Sequence, residues 1–186
     1  MLGVGYRFIP TDYELICYLI DQVQGFLQHP ISEIIESDKV YCKEPWNLRH
    51  QLERENRTID EVHMYFFVEV FPRERRAGKG YWHASSGVNK IFDPQSGQLV
   101  GETRGLAYYY TPSKNTCLKT NWIMHEYKLI NPQYGPKERY WTICKIGKTG
   151  KSKVTVPEII EESDESFYDA NVNASEGIVY LGDQYT

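Results

Sequence analysis

The chain has 186 residues, enough for one domain of usual size and a short tail. A hydrophobic content of 41% supports a packed core, and the net charge of −4 argues mildly against nucleic acid as a partner. That charge is uneven: residues 151–186 hold two lysines against eight acids, a net −6, so residues 1–150 carry +2. We therefore expect a weakly basic domain over residues 1–150 and an acidic, disordered tail over residues 151–186.

The first predicted element is a helix over about residues 12–27, which we expect to end near Pro30. Thr11 and Glu14 have the capping-box spacing, in which each side chain bonds the other residue's backbone N–H. Apolar residues then recur at helical spacing. They are Leu15, Ile16, Leu19, Ile20 and Val23.

Residues 31–45 are predicted as a second short helix or a turn, followed by a loop that ends at residues 44–48. From Val62 the hydrophobic period changes to two, and both faces are apolar, which indicates a central strand. Short turns between the later strands favour antiparallel pairing. These strands are predicted over residues 79–85, 88–93, 99–102, 104–111, 120–130 and 138–146. The predicted class is therefore α+β, a twisted antiparallel β-sheet flanked by a few helices.

Patterns that would indicate an enzyme or a metal site are missing from the sequence. It has no Cys-x-x-Cys pair, no His-Glu-x-x-His, no Gly-x-Ser-x-Gly and no P-loop. Cys117 with His125 or His63 could be paired as nucleophile and base, but no local signature supports that pairing. We expect no catalytic residues, no metal and no cofactor, with the cysteines reduced. We also expect no signal peptide and no membrane partner, because no apolar run approaches a membrane span.

Three separated blocks carry the most specific signal: Gly5 to Leu15, Gly80 to Ser85 and Lys119 to Leu129. In this order they resemble the NAC family of plant transcription factors, and the resemblance extends over about residues 3–147. It implies a NAC-like DNA-binding and dimerisation domain and a nuclear location. It also implies two partners: double-stranded DNA with a CGT-containing site, and a second NAC-domain protein in a homodimer or heterodimer.

The resemblance implies that residues 79–86 form an edge strand that enters the DNA major groove, where strands can read base edges. The family sequence there is Gly-Tyr-Trp-Lys-Ala-Thr-Gly. In this chain His83 replaces the lysine, Ser85 replaces the threonine and Ser86 looks like an insertion, while Glu102 stands at another usual lysine position. The predicted DNA-binding set is Arg73, Arg75, Arg76, Lys79, Tyr81, Trp82, His83, Ala84, Ser85, Ser86, Lys90 and Lys119.

The N-terminal block implies a dimer interface. In the family, an arginine and a glutamate at the positions of Arg7 and Glu14 pair reciprocally across a two-fold axis, as an isologous interface allows. Without the resemblance, Arg7 would be a surface charge and Glu14 a capping residue. The predicted interface residues are Leu2, Gly5, Tyr6, Arg7, Phe8, Pro10 and Glu14.

Two functions therefore remain open. The first is sequence-specific DNA binding as a dimeric transcription factor. The second is a divergent NAC domain that dimerises with other family members but binds DNA weakly, as a competitor or interaction module. Without the resemblance, the basic residues 73–79 would be a solvated loop. We expect residues 122–127 to form a core strand with satisfied polar contacts rather than a reactive site.

Overall fold

The computed structural model of the chain describes residues 8–26, 33–55, 62–69, 75–130 and 141–150. Within these residues, two α-helices and a short 3₁₀ helix accompany one seven-stranded sheet, which confirms the predicted α+β class. No helix in these ranges is both long and apolar enough to cross a membrane.

Helix α1 spans Asp12–Gln24 and begins as the sequence predicts. The Thr11 hydroxyl accepts the Glu14 N–H at 3.2 Å, and the Glu14 carboxylate accepts the Thr11 N–H at 2.7 Å, so the capping box is complete. The helix ends earlier than predicted because Gly25 adopts a left-handed conformation, with φ at 70°.

The segment predicted as a second short helix or a turn is a strand followed by a 3₁₀ helix. Strand β1 spans Ile34–Glu36, and the 3₁₀ helix spans Lys39–Tyr41. Three alternating residues are too few for a period-two pattern to be recognised in the sequence. The strand is fixed instead by its pairing with a neighbour.

A second helix, α2, spans Pro45–Arg54, so the predicted loop at residues 44–48 is wrong. Pro45 stands in the first turn, where a missing N–H breaks no helical hydrogen bond. Leu48 and Leu52 lie one turn apart, and both are buried. Apart from these leucines, Pro45 and Trp46, the helix is polar, so its apolar stripe was too narrow to be recognised.

The sheet has the strand order β1-β2-β7-β6-β5-β4-β3. Strands β2 to β7 span His63–Glu69, Arg76–Ala77, Gly80–Phe92, Leu99–Ser113, Thr116–Leu129 and Trp141–Lys148. The pairs among β2 to β7 are antiparallel, as predicted, but β1 runs parallel to β2, so the sheet is mixed. The 3₁₀ helix and α2 connect β1 to β2, and a parallel pair requires such a long crossover.

Four of the predicted strands merge into two. The segments predicted at 79–85 and 88–93 are both parts of β4, and those at 99–102 and 104–111 are both parts of β5. On β4 the predicted break is a shift of register between Ala84 and Val88. On β5 the pairing through Glu102, Thr103 and Arg104 is regular, so no break occurs there.

The sheet is buried on two faces by two separate clusters. Successive β2 residues alternate between them, so Phe66 packs in one cluster and Phe67 in the other, as the doubly apolar pattern predicts. The first cluster contains Leu48 and Leu52 of α2, and the second contains Leu15 and other residues of α1. Burying side chains of this size contributes roughly 1.5–3 kcal/mol each.

Some predicted features lie outside the described residues. They are the interface residues Leu2, Gly5, Tyr6 and Arg7, the phosphate contact Arg73 and the acidic tail over residues 151–186.

Candidate nucleic-acid interface

Strand β4 presents one open edge in the described part of the chain. It pairs along its length with β5, whereas on its other side only Gly80 and Tyr81 pair, with the two residues of β3. On this side the Trp82 N–H also donates to the Arg75 carbonyl at 2.8 Å, and from His83 onward β4 has no strand partner among the described residues. An edge of this kind leaves backbone and side chains accessible to another molecule.

Side chains alternate along the first half of β4. Trp82 is 3% exposed and packs edge-on against the ring of Tyr108, with ring centroids 5.1 Å apart. His83 and Ser85 are exposed, and Ala84 is half-buried. Trp82 therefore anchors the strand in the core, and its neighbours face outward.

Ser86, which looks like an insertion in the sequence, lies in a β-bulge. Ala84 pairs with Leu106 and Val88 with Arg104, so residues 85–87 stand opposite Gly105 alone. The Ser86 hydroxyl accepts the Gly105 N–H at 2.9 Å. The inserted side chain thus replaces a lost backbone acceptor.

Exposed and half-buried aromatic residues flank the open edge. The Tyr81 and Tyr109 rings stack with centroids 5.6 Å apart, and the His83 ring meets Tyr109 edge-on at 5.8 Å. Lys119 on β6 pairs in register with Tyr109 on β5, so its exposed side chain lies on the same face of the sheet as the Tyr109 ring. These groups form a surface of rings and one cation next to the start of β4.

Residues 76–81 form a short hairpin, in which β3 and the start of β4 are joined by a two-residue turn. We call it the basic hairpin. Arg76 and Lys79 are exposed on it. Gly78 has φ at 56°, as the two-residue hairpin turns favour. The hairpin therefore carries two of the predicted cations next to the open edge.

Arg75, immediately before the basic hairpin, is held by a buried carboxylate. Its Nε and Nη2 donate to the two oxygens of Glu126 at 3.0 and 2.9 Å, and Glu126 is 3% exposed. The Tyr41 hydroxyl donates to the same carboxylate at 2.6 Å. The sequence predicted a phosphate contact for Arg75, but much of its hydrogen-bonding capacity is already occupied within the domain.

Burial by itself would raise the pKa of Glu126. The hydrogen bonds from Arg75 and Tyr41 outweigh this effect and lower the pKa below its ordinary value. Glu126 therefore remains ionised at neutral pH. Residues 122–127 form part of a core strand, as the sequence predicts, although Ile123 and His125 are only half-buried.

Lys90 lies farther along β4, and a neighbouring acid partly offsets its positive charge. It pairs in register with Glu102 on β5, and Glu102 pairs in turn with Lys128 on β6. The acid that stands at a usual lysine position is thus placed between two lysines. Opposite charges across strands favour the sheet but weaken the local positive potential.

The described residues of the predicted dimer interface have contacts within the chain. Phe8 is buried and meets the Tyr65 ring edge-on at 5.1 Å. Pro10 is half-buried, and Glu14 is exposed. Hydrogen bonds from the Thr11 backbone and side chain lower the pKa of Glu14, so its charge is held at the start of α1.

Sequence reasoning missed Glu44, Tyr41 and Tyr109 as parts of this region. Glu126 could have been suspected, because it follows Met124 on the inward-facing side of a strand and a buried carboxylate requires partners. Its partners Tyr41 and Arg75 are too distant in sequence for any local pattern to reveal them. Among the residues that the structure describes, no group of three or more His, Cys, Asp or Glu side chains is placed to hold a metal.

Comparison with known proteins gives a consistent result. The family description "No apical meristem (NAM) protein" matches residues 3–129. The chain is similar to NAC domain-containing protein 19 of Arabidopsis thaliana, with 37% identity over 81% of this chain and 48% of the relative. For NAC domain-containing protein JA2 of Solanum lycopersicum the identity is 36%, over 81% and 44%. For NAC transcription factor 29 of Arabidopsis thaliana it is 35%, over 82% and 59%. The chain thus spans about half the length of the curated relatives it matches.

Proposed function

Because the chain belongs to the NAC family of plant transcription factors, we propose that it binds double-stranded DNA sequence-specifically, as a nuclear dimer. The observation that supports this most strongly is the open edge of β4 with the basic hairpin beside it. We propose that the edge strand over residues 79–86 enters the major groove and recognises a CGT-containing half-site.

The open edge suits a groove-reading strand. A β-strand or ribbon fits the major groove, where each base pair presents a distinct pattern of donors and acceptors. In this proposal Trp82 fixes the strand from the core side, while His83, Ser85 and Ser86 meet the DNA. Ala84 is small enough to allow close approach.

Phosphate contacts are assigned to exposed cations around this edge. Arg76 and Lys79 would act from the basic hairpin, Lys90 from the far half of β4 and Lys119 from β6. Such contacts position the protein without reading sequence. We assign Arg75 a supporting role, because two of its nitrogens hold Glu126. Arg73 remains a proposed phosphate contact from the sequence alone.

For the dimer, we propose that Arg7 and Glu14 pair reciprocally across a two-fold axis. Glu14 is exposed and ionised at the start of α1, so its carboxylate remains accessible while it closes the capping box. An isologous interface uses each such pair twice.

A second candidate function is supported by Glu102. It stands in register between Lys90 and Lys128, and His83 occupies the family's other lysine position. Both changes reduce attraction for phosphate. A domain of this kind would dimerise with other NAC-domain proteins and compete with them while binding DNA weakly.

Titration of a fluorescent CGT-containing duplex over a series of salt concentrations separates the two candidates. Specific binding predicts a tighter complex than with a duplex whose CGT core is scrambled, and a log–log salt slope of about −0.9 per phosphate neutralised. Lys79→Ala should weaken binding to both duplexes and reduce the slope by about one unit. Lys39→Ala, which removes an exposed cation of the 3₁₀ helix, is the matched control. Equal affinity for the two duplexes would refute specific recognition and favour the competitor.

A further inference from the structure

The turn of the basic hairpin is docked against the segment that leads into α2. The Gly78 N–H donates to the Cys42 carbonyl at 2.9 Å, and the Lys79 N–H donates to the Glu44 carboxylate at 2.8 Å. The Lys79 carbonyl accepts both the N–H and the hydroxyl of Thr111 at 2.7 Å. Both N–H groups of the turn are therefore satisfied by groups outside the hairpin.

Glu44 is engaged in this contact rather than in capping its own helix. It occupies the N-cap position of α2, yet its side chain makes no capping hydrogen bond. One carboxylate oxygen accepts the Lys79 N–H, and the other accepts Nδ2 of Asn47 at 2.9 Å. A Cβ at Gly78 would overlap this carboxylate, so any other residue there would push Glu44 away from the turn and would also strain the positive φ.

We infer that Glu44 is a positioning residue for DNA binding, and this inference rests on the proposed function. Its carboxylate holds the basic hairpin in a single conformation, with Arg76 and Lys79 placed next to the open edge of β4. A hairpin released from Glu44 would have to lose backbone freedom when it met DNA, and affinity would fall.

The negative charge of Glu44 makes the inference testable by the sign of the effect. A carboxylate close to phosphates repels them, so removal of its charge alone would tighten binding. Glu44→Gln removes the charge but keeps an oxygen that can accept the Lys79 N–H. Glu44→Ala removes both the charge and the acceptor. Positioning therefore predicts opposite effects for the two variants, whereas electrostatics alone predicts that both bind more tightly.

The experiment measures the affinity of the full chain for the CGT-containing duplex and hydrogen exchange at the Gly78 and Lys79 amides without DNA. Glu44→Ala should bind about tenfold more weakly, with a salt slope reduced by up to about two units as two cations lose their placement. Its two turn amides should exchange faster. Glu44→Gln should bind at least as tightly as the wild type. Glu53→Ala removes a carboxylate from the same helix, one paired with Arg49, and is the matched control.

Gly78→Ala is a second variant that leaves the net charge unchanged. It displaces the turn from Glu44, so it should also weaken binding and speed exchange at Lys79.

Equal affinities for Glu44→Ala and Glu44→Gln, or unchanged exchange in Glu44→Ala, would overturn the inference. If the wild-type chain binds neither the CGT-containing nor a scrambled duplex, the proposed function fails and the role in DNA binding fails with it. The exchange measurement then decides separately whether Glu44 holds the hairpin.

Discussion

Replacing Arg75 by alanine should destabilise the domain much more than the same replacement at Arg49, although both arginines pair with a glutamate. Arg75 donates two hydrogen bonds, of 3.0 and 2.9 Å, to Glu126, which is 3% exposed. Arg49 Nε donates at 3.1 Å to Glu53, whose side chain is 56% exposed. The two variants remove the same side chain from a buried carboxylate and from a solvated one.

The magnitude follows from burial. Removing one partner of a fully buried pair costs roughly 3–5 kcal/mol because the other charge is left uncompensated. The Arg75 side chain is itself 36% exposed, and Tyr41 and Lys128 remain near the carboxylate, so we expect a smaller cost of about 2–3 kcal/mol. A helical surface pair such as that of Arg49 contributes only about 0.3–0.5 kcal/mol. Urea unfolding at pH 7, followed by tryptophan fluorescence, measures the loss of unfolding free energy in Arg75→Ala and in Arg49→Ala.

The cost at Arg75 should also depend on pH. In the wild type the pKa of Glu126 is lowered in the folded state, so its contribution is complete above the ordinary glutamate pKa of about 4.3 and is lost as pH falls through the folded value. Without Arg75, the effect of burial dominates and raises the pKa of Glu126 in the folded state. The folded variant therefore favours the neutral carboxyl of Glu126. The difference in stability between wild type and variant should therefore be largest near neutrality and narrow in acid.

Two results would refute this reasoning: similar costs for the two arginine variants, or a deficit at Arg75 that does not narrow in acid. The double variant Arg75→Ala with Glu126→Gln supplies a further check, because it removes the uncompensated charge. It should be less destabilised than the sum of the single variants.

Three further predictions concern DNA, the dimer and the tail. His83→Lys should tighten binding to the CGT-containing duplex and steepen its salt dependence, because it places a permanent cation on the exposed edge strand; fluorescence anisotropy over a salt series tests this, and an unchanged affinity would contradict it. Reversing the charge of Arg7 or Glu14 alone should shift the sedimentation equilibrium toward monomer, and reversing both should partly restore the dimer; unchanged mass in both single variants would show that the interface is assigned wrongly. Deleting residues 154–186 should leave the melting temperature nearly unchanged, whereas a drop of several degrees would show that the tail stabilises the domain.

Features that depend on near neighbours could be predicted from the sequence. The start of α1 follows from Thr11 and Glu14, which satisfy each other's N–H groups within one turn. The alternation in β2 predicts a strand buried on both faces, because period-two side chains point to opposite sides of a sheet. The three blocks that resemble the NAC family likewise required no structure.

Prediction from the sequence failed where the local pattern was short or ambiguous. Gly25 ends α1 before Pro30, and the sequence alone does not say which of two helix-ending residues acts first. Helix α2 was missed because only a narrow stripe, including Leu48 and Leu52, is apolar. The break that the sequence suggests near Ser86 is a bulge within one strand, because the hydroxyl supplies the missing acceptor.

The family, the α+β class and the cations near the edge strand could all be inferred from the sequence. The folded structure was needed to show which of those cations is held by a partner, since the Arg75 guanidinium donates to Glu126 across a long stretch of chain. Glu44 accepts only the backbone N–H of Lys79, whose side chain is exposed. Periodicity indicates which face a side chain takes, but not which distant group it meets there. A buried carboxylate must find its donors when the sheet assembles, and only that assembly distinguishes a cation that stabilises the domain from one that remains exposed to DNA.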